Sequence, residues 1–415
     1  MERLEIFGGK RLKGKIMVES AKNAILPMIA GAILTDEEVI IENCPKIKDV
    51  YSMIDILTAL GVKAYFQENN LIINSKNIDS CIVDKEHSKK LRSSVFLLGA
   101  LLSRFKRAEI SLPGGCDIGA RNIDLHLSSL KKLGAKIDIK DDTIYAKCDK
   151  VKGNLIILKY PSVGATENIM LASVFCKGET IIRNCAKEPE IEDLMKFLNN
   201  LGAKIYGGGT GTIIIDGVEK LHGGTFKPMG DRIEAGTYLL AAAITGGEIE
   251  ISNVKAQNIV SLMNKLCNNA CKFKQNNDII YYKSRGVVFP LDISTGPFPD
   301  FPTDLQCPMM AYLTVACGKS SITENVFEKR FEQVSDFVSM GADVLVKDRT
   351  AIIKGVKNLH GANVFAKDLR GGAGLVLAAL KAEGKSSVYG LEYIDRGYYN
   401  LAEKLSLLGA NVKRF

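Results

Sequence analysis

The sequence contains no tryptophan and only four histidines among 415 residues. Its tyrosines and phenylalanines are dispersed, so the aromatic platform on which a nucleic-acid binder stacks bases is not evident. No long apolar run exists. The stretch from Ala24 to Leu34 falls short of the roughly 18 residues that a membrane span needs. The opening residues Met1-Glu2-Arg3-Leu4-Glu5 lack the apolar core of a signal peptide, so a cytoplasmic protein without membrane insertion is expected. Also missing are a Walker loop, a GxGxxG linking strand to helix, zinc-ligand spacings and a Ser-His-Asp pattern. Gly207-Gly208-Gly209-Thr210-Gly211 lies between two β-like runs and reads as a hairpin turn.

A single core stops growing at about 250–300 residues, so a chain of this length implies two domains. The net charge is +8, but Lys89-Lys90 with Arg92 and the run from Arg104 to Arg107 are short. They read as solvated faces rather than a nucleic-acid stripe; a small anionic substrate would use the same excess of charge. Ten scattered cysteines read as free thiols. Cys267 and Cys271 read as packing residues on one helix face, and Cys176 and Cys317 as core.

The tag Leu-Gly-Ala or a variant recurs after helix-like stretches, centred on residues 61, 134, 202, 270, 341 and 409. The intervals of 73, 68, 68, 71 and 68 residues identify a repeat. Each copy has an Ala/Leu-rich helix, a strand such as Glu248-Ile249-Glu250-Ile251, and a turn often carrying Asn. A second, amphipathic helix and a two-stranded return follow. The tag glycine suits the position after a helix end, where φ is positive. The pattern implies six βαβαββ-like units, three in each half, with a break near Lys227-Pro228-Met229-Gly230. A cleft between the halves would suit chemistry that excludes water.

Four stretches exceed what the repeat needs. Ser20-Ala21-Lys22-Asn23 opens a helix: Ser20 is a candidate cap, and Lys22 adds charge where backbone N–H groups favour an anion. In Leu112-Pro113-Gly114-Gly115-Cys116-Asp117-Ile118-Gly119-Ala120-Arg121 a cysteine sits among three glycines, near Arg121 and downstream of Arg92. A thiol of pKa roughly 8.5 exists in both forms near neutrality, so it can donate a proton or attack an electrophile. His126, in the helix-like DLHLSSL, reads as a structural hydrogen-bonder. Asp231-Arg232-Ile233-Glu234 opens the second half. In Phe298-Pro299-Asp300-Phe301-Pro302-Thr303-Asp304, the last residue stands at a helix start and is a cap or a functional carboxylate. Arg330, Arg370 and Arg396 each stand beside an expected turn, where guanidinium groups would suit phosphate or carboxylate.

Taken together, SAKNAILP, LPGGCDIGAR followed by DLH, SVGATEN, DRIEAGTYL, FPTDLQ, ENVFEKRF and IDRGY resemble the UDP-N-acetylglucosamine 1-carboxyvinyltransferases, in that family's order and over essentially the whole chain. The resemblance implies a two-domain inside-out α/β barrel of six repeats, with residues 22–229 in one half and 1–21 plus 230–415 in the other. It places the active site in the cleft between them. It implies transfer of an enolpyruvyl group from phosphoenolpyruvate to the 3′-hydroxyl of UDP-N-acetylglucosamine, the first committed step of peptidoglycan synthesis. No metal or organic cofactor is implied. By the same resemblance Cys116 is the proton donor and Asp304 the base, with Lys22 and Arg396 also catalytic. Phosphoenolpyruvate would be bound by Lys22, Asn23, Cys116, Arg121, Arg330, Arg370 and Arg396. The sugar nucleotide would be bound by Arg92, by Arg121, Asn122, Ile123, Asp124 and Leu125, by Ser162, Val163 and Gly164, and by Asp304 and Val326. Asp368 matches a residue near the reacting centre. Asn122, where the family commonly has proline, and the glycine-rich Gly371-Gly372-Ala373-Gly374 depart from its pattern.

Two other readings compete. A 3-phosphoshikimate enolpyruvyl transferase would share the fold and the transferred group, but its relatives lack the cysteine loop. A basic repeat scaffold would need the aromatic platforms that are not evident here.

Overall fold

The computed structural model describes residues 2–114, 119, 123–267 and 271–415. Cys116, Arg121 and Asn122 lie outside the described residues, as does Ala270 at the centre of the fourth copy of the tag. The chain divides into two compact units, one holding residues 20–114 and 123–229, the other residues 2–19 and 230–415. The chain passes between them at Glu19/Ser20 and at Met229/Gly230, so Ser20 and Ala21 belong with the first unit. The Ala21 N–H donates to the Met229 carbonyl at 2.8 Å within that unit.

Each unit carries three four-stranded sheets with one shared topology: a parallel pair extended by two antiparallel strands. In the first unit, Val39–Ile41 takes Gly224–Phe226 as its parallel partner, so the unit's last strand closes onto its first sheet. In the second, the N-terminal strands Arg3–Phe7 and Lys13–Met17 complete two separate sheets, pairing with Lys385–Tyr389 and Glu248–Ser252. That pairing is local to neither segment in sequence.

Inside each unit run three helices buried on nearly every side. They are Lys22–Gly31, Phe96–Phe105 and Val163–Ser173 in the first unit, and Arg232–Thr245, Gln306–Leu313 and Leu369–Lys381 in the second. All fourteen residues of Arg232–Thr245 are buried. A helix apolar all round has no solvent face to offer, so it must be an interior element. The sheets lie outside these helices with alternating burial, as in Glu179–Arg183. Outer helices such as Pro189–Asn200 bury only one stripe, including Leu194, Phe197 and Leu198.

The repeat tag ends those outer helices. Gly61, Gly134, Gly202, Gly341 and Gly409 have φ between +86° and +102°. At the first, the Gly61 N–H donates to Thr58 and the Val62 N–H to Leu57, both at 3.0 Å. That is the Schellman pattern, which satisfies the last carbonyls of the helix and explains why glycine recurs there. Asn43, Asn184 and Asn253 take positive φ at the strand-to-helix turns, where asparagine tolerates the left-handed region better than most residues. The GGGTG stretch joins the antiparallel strands Lys204–Tyr206 and Thr212–Asp216, as a hairpin should.

Three expectations need correction. Cys271 starts a strand while Cys267 ends the helix Val260–Leu266, so the two do not share a helix face, although their sulfurs lie 3.8 Å apart. Cys317 is exposed rather than core, since it follows the buried helix and leads toward the outer strand Lys319–Thr323. Arg104 is not a solvated charge: its guanidinium is turned inward to the carbonyl of Ile33, the hydroxyl of Ser75 and the carboxylate of Asp36.

Candidate active site

Several of the sequence-predicted site residues stand at the starts of buried helices. In the first unit, Lys22 opens its helix and is 9% exposed. Its ammonium lies 2.7 Å from Asp49 Oδ2. A charge buried this deeply needs such a partner. Asn23 follows, half-buried. Ser20 does not cap this helix. Ala21 stands at the cap position, and the buried Ser20 hydroxyl has no hydrogen-bond partner among the described residues.

Ser162 does cap the helix Val163–Ser173, accepting from the Ala165 N–H at 3.3 Å. This leaves the first N–H groups of Val163 and Gly164 outside the helical ladder, where an anion is favoured. A Cβ built on Gly164 would lie 3.2 Å from His126 Cε1 and 3.3 Å from its Nε2, so only glycine leaves that edge of the imidazole room. His126 follows Ile123, Asp124 and Leu125 in and just before the helix Asp124–Lys132. Burial, helped by the charge of Arg92, holds its pKa down at about 3, so it is neutral. Arg92 is half-buried, and its guanidinium donates to the Pro113 carbonyl at 3.4 Å.

In the second unit, Asp304 lies inside the short turn Thr303–Leu305, whose cap position is held by Pro302. Its Oδ1 receives Arg330 Nη2 at 2.7 Å and its Oδ2 receives Arg370 Nη2 at 3.0 Å. Neither arginine lies on an open loop face as the sequence suggests: each is 3% exposed, and Arg370 is inside the first turn of Leu369–Lys381. Asp368 caps that helix. Its Oδ1 accepts from the N–H groups of Arg370 and Gly371 at 2.9 and 3.1 Å, and receives Arg330 Nη1 at 3.4 Å. A Cβ on Gly371 would fall 2.4 Å from Gln333 Cγ and 2.5 Å from Asp368 Oδ2, which accounts for one glycine of the glycine-rich run. Burial alone would weaken Arg370's hold on its proton; Asp304 and Tyr398 outweigh it and raise the pKa. Yet Arg330 Nε and Arg370 Nη1 are buried with no hydrogen-bond partner among the described residues. A buried cationic donor left unmatched is costly, so the pair suits an anion bearing its own acceptors. Arg396 is half-buried on the turn after Leu391–Ile394.

Two residues that stand in the quoted motifs but are given no role there organise this cluster. Glu324, 1% exposed, accepts from the Val326 and Phe327 N–H groups at 2.8 and 3.1 Å and from the Thr303 hydroxyl at 2.9 Å. It thereby ties half-buried Val326 to the turn that holds Asp304. Tyr398 stacks under Arg370, its ring centroid 5.5 Å from the guanidinium carbon, and its hydroxyl meets Thr237 Oγ1 at 2.8 Å. In the first unit Asp49, the partner of Lys22, is likewise given no role by the sequence: as a first-turn acid of Lys48–Ala59 it looks like an ordinary dipole partner. Among the described residues no group of three or more His, Cys, Asp or Glu is placed to hold a metal ion. No helix among them is long and apolar enough to cross a membrane.

The family model for EPSP synthase (3-phosphoshikimate 1-carboxyvinyltransferase) matches residues 6–405. A UDP-N-acetylglucosamine 1-carboxyvinyltransferase 2 from Caldanaerobacter subterraneus subsp. tengcongensis is 48% identical over 415 residues, covering all of both chains. The chain belongs to the UDP-N-acetylglucosamine 1-carboxyvinyltransferases, within the wider enolpyruvyl transferase family. Another such relative, from Carboxydothermus hydrogenoformans, is 46% identical, covering all of this chain and 99% of that protein. Among solved structures, the enolpyruvyl transferase NikO from Streptomyces tendae superposes with a TM-score of 0.90 at 24% identity, over 100% of this chain and 99% of that one. An EPSP synthase from Acinetobacter baumannii gives 0.75 at 17% identity, over 100% of both. These structural likenesses establish the two-domain, six-repeat enolpyruvyl transferase fold.

Proposed function

We propose that this member of the family transfers the enolpyruvyl group of phosphoenolpyruvate to the 3′-hydroxyl of UDP-N-acetylglucosamine and releases phosphate, opening peptidoglycan synthesis in the cytoplasm. The observation that carries the reading is the full-length match to 1-carboxyvinyltransferases named for that acceptor. The charge-dense second-unit cluster supports it, because phosphoenolpyruvate carries both a phosphate and a carboxylate.

The chemistry assigns a role to each group. Cys116 protonates the methylene carbon of phosphoenolpyruvate as the sugar oxygen bonds to its C2. Asp304 takes the proton of that hydroxyl, and its two arginine partners fix the carboxylate in place. The C2–O bond to phosphate then breaks as a methyl proton leaves, restoring the double bond. Lys22, Asn23, Arg121, Arg330, Arg370 and Arg396 bind phosphoenolpyruvate and compensate its charge; Lys22 and Arg396 also compensate the departing phosphate. Arg92, the stretch from Arg121 to Leu125, Ser162 to Gly164 and Val326 bind the sugar nucleotide.

Phosphate release measured with either acceptor tests the reading. Release is expected with UDP-N-acetylglucosamine and not with 3-phosphoshikimate; the reverse would assign the chain to the reaction that the family model's description names. Cys116→Ser should abolish turnover. Cys116→Asp should keep activity, since a carboxylic acid also donates a proton, yet resist the thiol-alkylating epoxide fosfomycin. Wild-type turnover in the serine variant would exclude the acid role.

A further inference from the structure

His126 has a tautomer that its surroundings dictate. The side-chain amide of Asn168 stands between two backbone groups of the neighbouring helix region. Its Oδ1 accepts from the Gly99 N–H at 2.8 Å, and its Nδ2 donates to the Val95 carbonyl at 2.9 Å. A backbone N–H can only donate and a carbonyl can only accept, so the amide cannot be turned over. The second N–H of Asn168 then faces His126 Nδ1 at 3.0 Å. Nδ1 must therefore be an acceptor, and in a neutral ring the proton sits on Nε2.

That Nε2–H has no hydrogen-bond partner among the described residues, although His126 is only 7% exposed. It lies at the edge of the imidazole that Gly164 leaves uncrowded, beside the uncapped N–H groups that open the helix Val163–Ser173. The charged group acting on the ring is Arg92. The donor is left for an acceptor from outside the protein, and an acceptor oxygen above Gly164 would satisfy it together with the helix N-terminus.

We propose that His126 binds the sugar nucleotide through a neutral Nε2–H donor of fixed tautomer, and that Asn168 is the positioning residue that sets this tautomer. The inference rests on the proposed activity and deepens it. His126 is neither a base, because its lone-pair nitrogen is occupied by Asn168, nor a cationic phosphate ligand. An uncharged donor adds direction to the subsite without adding to the charge of Arg92.

Nitrogen-15 and proton NMR of the imidazoles in the full-length protein tests this without any variant. One histidine should show an unprotonated Nδ1 and a protonated Nε2 from pH 8 down to pH 5. Its Nε2–H resonance should move when UDP-N-acetylglucosamine is added, and also with UDP alone if the diphosphate is the acceptor. His126→Phe should raise KM for UDP-N-acetylglucosamine about tenfold, the worth of one hydrogen bond of ordinary strength, with little change in kcat or in KM for phosphoenolpyruvate. His126→Gln, whose amide N–H reaches similarly, should recover part of that loss. Asn168→Asp should move the proton to Nδ1 and raise the same KM. Turnover by the wild type with no movement of the Nε2–H resonance on nucleotide addition would overturn the role of His126. Movement without turnover would keep the subsite and sink the activity.

Discussion

The third buried helix of each unit begins with a side-chain cap, and there the resemblance stops. Ser162 caps Val163–Ser173 with a neutral hydroxyl, and the groups beside it are backbone N–H groups, an uncharged imidazole and Arg92. Asp368 caps Leu369–Lys381 with a carboxylate, and beside it a second carboxylate and two guanidinium groups are locked together. The repeat therefore supplies a place, the start of an interior helix, and leaves the chemistry to the few residues around its first turn. The neutral end suits binding, where direction matters. The charged end suits a reaction in which charge is created and moved, because fixed, desolvated charges act strongly there.

Removing a charge from the second unit should show the largest effect. Arg330→Met strips both Asp304 and Asp368 of a cationic partner, while Asp304 keeps its bond to Arg370 and buried Asp368 keeps its backbone donors. Urea denaturation should register a loss of about 3–5 kcal/mol, the usual outcome of breaking a buried ion pair from one side. A loss below 1 kcal/mol would mean that the cluster is not held as described. Asp304→Asn should cost less in stability but reduce kcat about 10²–10⁴-fold, as expected when a general base is removed; unchanged kcat would take the base role from it. On the neutral side, Ser162→Ala removes a cap and should cost only about 1 kcal/mol. Equal losses in Arg330→Met and Ser162→Ala would erase the contrast between the two helix starts.

The first unit's side of the comparison also carries a pH dependence. His126 takes a proton near its ordinary 6.5 when unfolded but only at about 3 when folded. The unfolded state binds more protons in that window, so this contribution to stability is present above 6.5 and is lost as pH falls toward 3. Asp193 acts with the opposite sign. Burial lifts it from 3.8 to about 6, against the Met229 N–H that donates to it at 2.9 Å. The folded state holds that proton longer, so its contribution weakens as pH rises from 3.8 to 6. Denaturation midpoints between pH 6.5 and 4 should consequently fall less steeply in His126→Phe than in the wild type, and more steeply in Asp193→Asn. Parallel slopes in all three proteins would deny both assignments.

Much of the architecture was legible from local rules. The tag glycines mark helix ends because a Schellman turn needs positive φ, and that need is confined to six consecutive residues. The asparagine turns and the GGGTG hairpin are equally local. The Ser20 reading failed because the helix starts one residue later than its cap position requires, a shift that chain pattern alone does not resolve. What the Asp304 carboxylate meets was decided only by Arg330 and Arg370, 26 and 66 residues away.

The sequence by itself determined the repeat, its period, the interior character of the Ala/Leu-rich helices and the motif set that marks the family, because each depends on neighbours within a turn or two. Only the tertiary structure decided which charges meet. Lys22 finds Asp49, two arginines converge on Asp304, and Asn168 reads the backbone of another helix before fixing the proton of His126. These pairings are set by distance in space, and inside a folded unit desolvation makes such distances decide protonation and charge.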